Sequence, residues 1–129
     1  MKKVEWNQTL SVGNEIIDKQ HMKLFELRNM LIEAVDNKSN AAILAETLTE
    51  ILKFTRSHFE FEEQFLEEKA YPDLQAHKKK HFEFKKKIAF ISKEAISDRD
   101  STQLKLISYL SEWIINHTSK SDLEYKKFI

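Results

Sequence analysis

The chain has 129 residues and a mass of 15.3 kDa, enough for one domain whose core needs no covalent staples. It contains no cysteine, which excludes disulfides, thiolate zinc sites and iron–sulfur ligation. Lys+Arg and Asp+Glu both count 21, so the formal net charge is zero and no polyelectrolyte partner is implied.

The N-terminal MKKVEWNQTL has two lysines but no apolar run behind them, unlike a signal peptide. No stretch approaches the roughly 20 apolar residues of a membrane span, so a soluble, cytoplasmic protein is expected. Residues 1–13 read as a nonhelical arm packed on the rest through Trp6. One glycine and one proline argue against sheet folds, which need turn residues repeatedly, and for long helices with few loops. The polar clusters DNKSN (36–40), AYPD (70–73) and SDRDS (97–101) divide the chain into four segments of helical periodicity. These are expected roughly at 14–36, 41–69, 73–96 and 101–127, with Asn40, Asp73 and Ser101 as N-caps. The apolar stripe of the first runs through His21, Leu24, Phe25, Leu31, Ile32 and Val35. The second carries Leu44, Leu48, Ile51, Thr55, His58, Glu62, Phe65 and Leu66. The third carries Leu74, His77, His81, Phe84, Ile88, Ile91 and Ala95, and the fourth Leu104, Ile107, Leu110, Ile114 and His117. Four such helices on short loops predict an all-α, up-down-up-down four-helix bundle, one domain over residues 1–129.

The stripes contain an anomaly, because all five histidines of the chain lie on them and every helix supplies at least one. A single histidine on a core face is usually a hydrogen-bonded structural residue. Five buried imidazoles without partners would be costly. His77 and His81 are i and i+4, which stacks two imidazoles on one side of a helix as a metal chelate needs, and His58 with Glu62 repeats the spacing. Asp122 follows His117 by five residues, about 500° of helix, so those two share a face only if the helix is locally distorted. Imidazole and carboxylate ligands without thiolate suit iron, zinc or manganese. Five imidazoles, two carboxylates bridging both metals and one bridging oxygen leave an octahedral pair one ligand short, and a small exogenous ligand could enter there.

These residues resemble the hemerythrins, specifically the single-domain bacterial type, over nearly the whole chain. The resemblance rests on WN (6–7), Gly13 with IDKQH (17–21), HFEFEE (58–63), HKKKH (77–81) and WIINHTSKSDLEY (113–125). It implies reversible dioxygen binding at a non-heme di-iron centre, two iron ions joined by an oxo or hydroxo bridge. By the resemblance, His77, His81 and His117 hold one iron and His21 and His58 the other, while Glu62 and Asp122 bridge them. The two-histidine iron would then carry the open position.

Such a site must exclude water. Leu24, one turn from His21, with Phe59, Trp113 and Ile114 can wall an oxygen pocket, and for each of them ordinary core packing is the same thing. Thr118 stands where the family usually has a branched aliphatic residue: its hydroxyl either bonds back to the helix or makes the pocket more polar. Asp18 and Gln20 could orient ligand imidazoles, Asp18 being equally a helix-start charge, and Tyr125 could bond a carboxylate or cover the bundle end. Glu63, about 100° round from Glu62, is expected in solvent. The lysine runs of the third helix and the glutamates of the second read as solvated, complementary faces. Without aromatic residues interleaved on an exposed face, no nucleic-acid contact is expected.

Oxygen transport, storage or delivery is therefore the leading reading, without enzymatic turnover. A di-iron oxidase or peroxidase, or an oxygen or redox sensor module, is the alternative. The sequence has no Glu-x-x-His motif of the ferritin-like enzymes, and a fused signalling domain of the kind usual in sensors is not expected. A monomer is expected by family analogy, with no membrane partner.

Overall fold

The computed structural model describes residues 2–93 and 99–129. Four helices, α1 (Glu15–Asp36), α2 (Ala41–Glu68), α3 (Leu74–Lys93) and α4 (Arg99–Asn116), carry the chain back and forth. Each packs on its neighbour in sequence, and α1 closes the ring on α4, which is the up-down-up-down bundle the periodicity predicts. The expected end of the third helix near 96, Ala95 and the start of the SDRDS cluster lie outside the described residues.

Local chemistry sets the ends. Asn14 and Asn40 cap α1 and α2, their side chains accepting from Ile17 N and Ile43 N. Asp73 precedes α3, and its carbonyl accepts from His77 N. Ser101 is no cap, because α4 already begins at Arg99 and Ser101 sits in its first turn. Both α1 and α2 stop in the same way. After α1, Lys38 turns left-handed (φ 52°) while its N–H bonds Val35 O and that of Ser39 bonds Ala34 O. After α2, Ala70 (φ 53°) does the same, with Ala70 N on Glu67 O and Tyr71 N on Leu66 O. The six-residue motifs 34–39 and 66–71 thus end both helices without glycine, at the cost of a Cβ in a region that favours glycine. Pro72 then forbids continuation of α2.

The arm is not wholly nonhelical, since Gln8–Leu10 form one 3₁₀ turn capped by Asn7. It is tied down along its length: Asn29 pairs with the backbone of Val4 in both directions at 3.0 Å. Arg28, buried at 5% exposure, joins the arm to α4 by donating to Lys2 O (3.0 Å) and Ser111 O (2.9 Å). Trp6 packs, partly buried, against the main apolar cluster as expected.

That cluster (Leu24, Phe25, Leu31, Ile51, Ile107, Leu110 and Ile114 among others) fills one half of the bundle. A smaller one, with Val12, Ile17, Leu66, Tyr71 and Tyr125, closes the other end. Leu104 departs from its predicted stripe: it is 52% exposed, and Leu106 is buried instead. The outer face of α3 also departs from expectation, since Phe82 and Phe90 are exposed there among the lysines. The aromatic-free face assumed above is therefore absent. Among the described residues no helix is long and apolar enough to cross a membrane.

Candidate metal centre

All five imidazoles and both candidate carboxylates meet inside the bundle, between the two apolar clusters, each 5% exposed or less. α1 brings His21, α2 His58 and Glu62, α3 His77 and His81, and the chain following α4 brings His117 and Asp122. Regular helical spacing places the first five. The last pair depends on a widened turn, because His117–Ser121 form a π-helix and Asp122 N–H bonds His117 O, five residues back. Thr118 Oγ1 and Ser119 Oγ donate to carbonyls just before the widened turn, those of Ile114 (2.7 Å) and Ile115 (2.6 Å). The distortion that the five-residue spacing demands is thus built into the end of the helix. The Thr118 hydroxyl is spent on the backbone and does not make the pocket polar.

The carboxylates divide the histidines into two groups. Glu62 Oε1 lies 2.6 Å from His77 Nε2 and 3.2 Å from His81 Nε2. Its Oε2 lies 3.4 Å from His58 Nε2 and 3.6 Å from His21 Nε2. Asp122 repeats the division, with Oδ1 3.1 Å from His77 Nε2 and 3.0 Å from His117 Nε2, and Oδ2 3.1 Å from His21 Nε2. Each carboxylate turns one oxygen to a three-histidine group and the other to a two-histidine group. Two ligand sets follow: Glu62, His77, His81, His117 and Asp122, and His21, His58, Glu62 and Asp122, the ligand atoms of each within 4.8 Å of one another.

These groups satisfy one another only in part: His77 Nε2 and Glu62 Oε1 form a 2.6 Å hydrogen bond, but others lack one. His21 Nε2 and both Asp122 oxygens are buried without an aligned partner, although they lie at ion-pair distance. His81 Nε2 and His117 Nε2 face each other at 3.1 Å, where at most one can donate. Burial alone would lower His21, but Asp122 and Glu62 outweigh it and raise its pKa to about 10. The same balance lifts His77 to about 9. Burial would likewise raise Glu62, yet His58, His21 and His77 hold it well below the usual carboxylate range. Asp122 is depressed in the same way, burial and Glu62 being outweighed by His117 and His21. His117 moves the other way, lowered by burial. Convergent nitrogens and oxygens, several of them without an aligned partner, fit cations placed between them, and the donor set suits iron.

The surroundings orient the ligands. Gln20 Oε1 accepts from His58 Nδ1 at 2.6 Å, leaving Nε2 free to face inward. Tyr125 donates to Glu62 Oε2 at 3.0 Å. Asp18 reaches no imidazole; it accepts from Ser11 Oγ and Val12 N and ties the arm to the start of α1. Leu24, Phe59, Ile114 and Thr118 are buried and Trp113 partly so. Phe59 stacks on His81 (3.8 Å, 6°) and Trp113 on His117 (4.2 Å, 13°), so both aromatic rings cover the three-histidine side. Glu63 is not simply solvated, because its Oε2 lies 2.8 Å from His81 Nδ1. Periodicity along α2 could not reveal this, since the partner belongs to another helix. Tyr71, edge-on to His77 and Tyr125, was also missed; only its place after the helix end hinted at cover for the site.

The sequence profile of the hemerythrin HHE cation binding domain matches residues 12–129. A bacteriohemerythrin of Stenotrophomonas maltophilia is 37% identical over 125 residues, 93% of this chain and 77% of the relative. A myohemerythrin of Theromyzon tessulatum is 30% identical over 122 residues, 95% and 90% of the two chains. A hemerythrin-like protein of Naegleria gruberi is 31% identical over 121 residues, 94% and 89%.

Proposed function

We propose, on the premise that this chain belongs to the hemerythrin family, that it binds dioxygen reversibly for transport, storage or delivery, without turning over a substrate. The family is a di-iron, oxygen-binding one. In this reading His77, His81 and His117 would hold one iron, His21 and His58 the other, and Glu62 and Asp122 would serve both. The observation that carries it is the division of both carboxylates, one oxygen toward each histidine group.

When bound, an iron pair would supply the electrons that dioxygen binding needs. The chain supplies the rest. Gln20 accepts the Nδ1 proton of His58 and so fixes which nitrogen faces inward. Burial raises the Tyr125 phenol, and the nearby Glu62 and Asp122 raise it further, so it stays protonated and donates to Glu62. Leu24, Phe59 and Ile114, each 2% exposed or less, keep water from the interior and so favour release of oxygen over irreversible oxidation.

The test is an optical titration of protein loaded with ferrous iron without air. A visible band that appears with oxygen and disappears when oxygen is removed is the expected result. Direct, permanent conversion to the oxidised spectrum would overturn reversible binding and favour an oxidase or a redox sensor.

A further inference from the structure

The two halves of the metal centre are braced by different chemistry. On the three-histidine side the Nδ1 of His81 meets the carboxylate of Glu63 at 2.8 Å, while Nε2 faces Glu62 and His117. On the two-histidine side the Nδ1 of His58 meets a neutral amide, Gln20 Oε1, at 2.6 Å. Among the described residues, His21 Nδ1 is buried without a hydrogen-bond partner. A carboxylate behind an imidazole makes it a stronger donor to a cation, an amide does so less, and an unsupported ring gains nothing. His81 is moreover fixed in direction by its stack on Phe59, so the charge of Glu63 acts through a ring that does not turn.

We propose that Glu63 is a positioning residue that makes the two metal positions unequal, so that the three-histidine position loads first and holds its metal more tightly. The inference rests on the ligand assignment proposed above and adds to it an order of filling. Glu63 itself touches no metal in this account. Its side chain is 23% exposed, so water weakens its charge without removing it. The Oε2 is the atom that bonds the ring, and the neighbouring Glu62 points inward from the same helix. Adjacent glutamates thus do different work, one between the metals and one behind a ligand.

The experiment is a calorimetric titration of metal-free protein with Co2+, read in parallel by the fluorescence of Trp113. The indole stacks on His117, so Co2+ in the three-histidine position should quench it, while Trp6 is replaced by Phe in every protein compared so that Trp113 alone reports. In the parent the first equivalent should bind more tightly and account for most of the quenching. Glu63→Gln keeps an acceptor for Nδ1 and removes only the charge. It should weaken the tight equivalent by roughly 10- to 100-fold and leave the other unchanged. The melting temperature of the metal-free variant reports whether the fold is intact. Gln20→Glu makes the opposite test, and should tighten the weaker equivalent and narrow the gap. Unchanged affinities in a folded Glu63→Gln protein overturn the role of Glu63 while the ligand assignment stands. Parent protein that takes up no pair of Co2+ ions overturns both.

Discussion

Around Leu31, Ile107 and Leu110 the interior of this bundle is hydrocarbon, whereas about two to three turns along the same helices it is imidazole and carboxylate. The first region stabilises the fold in the usual way, by removing apolar surface from water. The second is divided in the metal-free protein: its imidazoles and carboxylates keep one another charged, yet atoms of His21 and Asp122 are buried without an aligned partner. The difference teaches a division of labour. One half of the bundle makes the fold secure enough that the other can hold groups arranged for a cation.

The sharpest way to break that comparison is Asp122→Asn, which removes one shared carboxylate and should reduce metal uptake from two equivalents to at most one. Calorimetric titration measures it, and two equivalents in the variant would show that Asp122 does not bridge. In the hydrocarbon half, Leu110→Ala should destabilise by about 2–5 kcal/mol in denaturant unfolding yet leave uptake at two equivalents. A loss of metal uptake in a folded Leu110→Ala protein would mean the halves are not independent.

Acidity separates the halves without mutation. In the metal-free protein His21 and His77 are raised from 6.5 to about 10 and about 9. Their contribution is complete below pH 6.5 and is lost as pH rises through 9 to 10. Glu62 and Asp122 are lowered from 4.5 and 3.8, so theirs is complete above those values and lost on acidification. Metal-free protein should therefore melt highest between about pH 4.5 and 6.5, and His117, lowered by burial, draws the maximum toward the upper end. The loaded protein should instead gain stability toward pH 9, because its ligand imidazoles must be neutral. Melting curves of both forms across pH 5–10 would check this, and parallel profiles would contradict it.

The smallest expected effect lies outside both regions. Ala70→Gly should stabilise by up to about 1 kcal/mol, since it relieves a left-handed Cβ at the end of α2 and touches neither core. An unchanged or lower midpoint would show that the lost chain entropy of glycine cancels the relief.

The sequence by itself determined four helices, the bundle and the coming together of the histidines, because helical periodicity is local and each stripe states which face is buried. Family spacing carried His21, His58, Glu62, His77, His81, His117 and Asp122 as one set, and even the five-residue gap after His117 announced a distortion. Only the tertiary structure decided that a π turn supplies that distortion, since i+5 bonding depends on what the widened turn packs against. It also decided the fates of Asp18, which holds the arm, and of Glu63, which braces His81. Both side chains find their partners across the fold: Asp18 in the arm, Glu63 on another helix. No pattern along one helix encodes such a meeting, because the distance that matters is set by how the bundle closes.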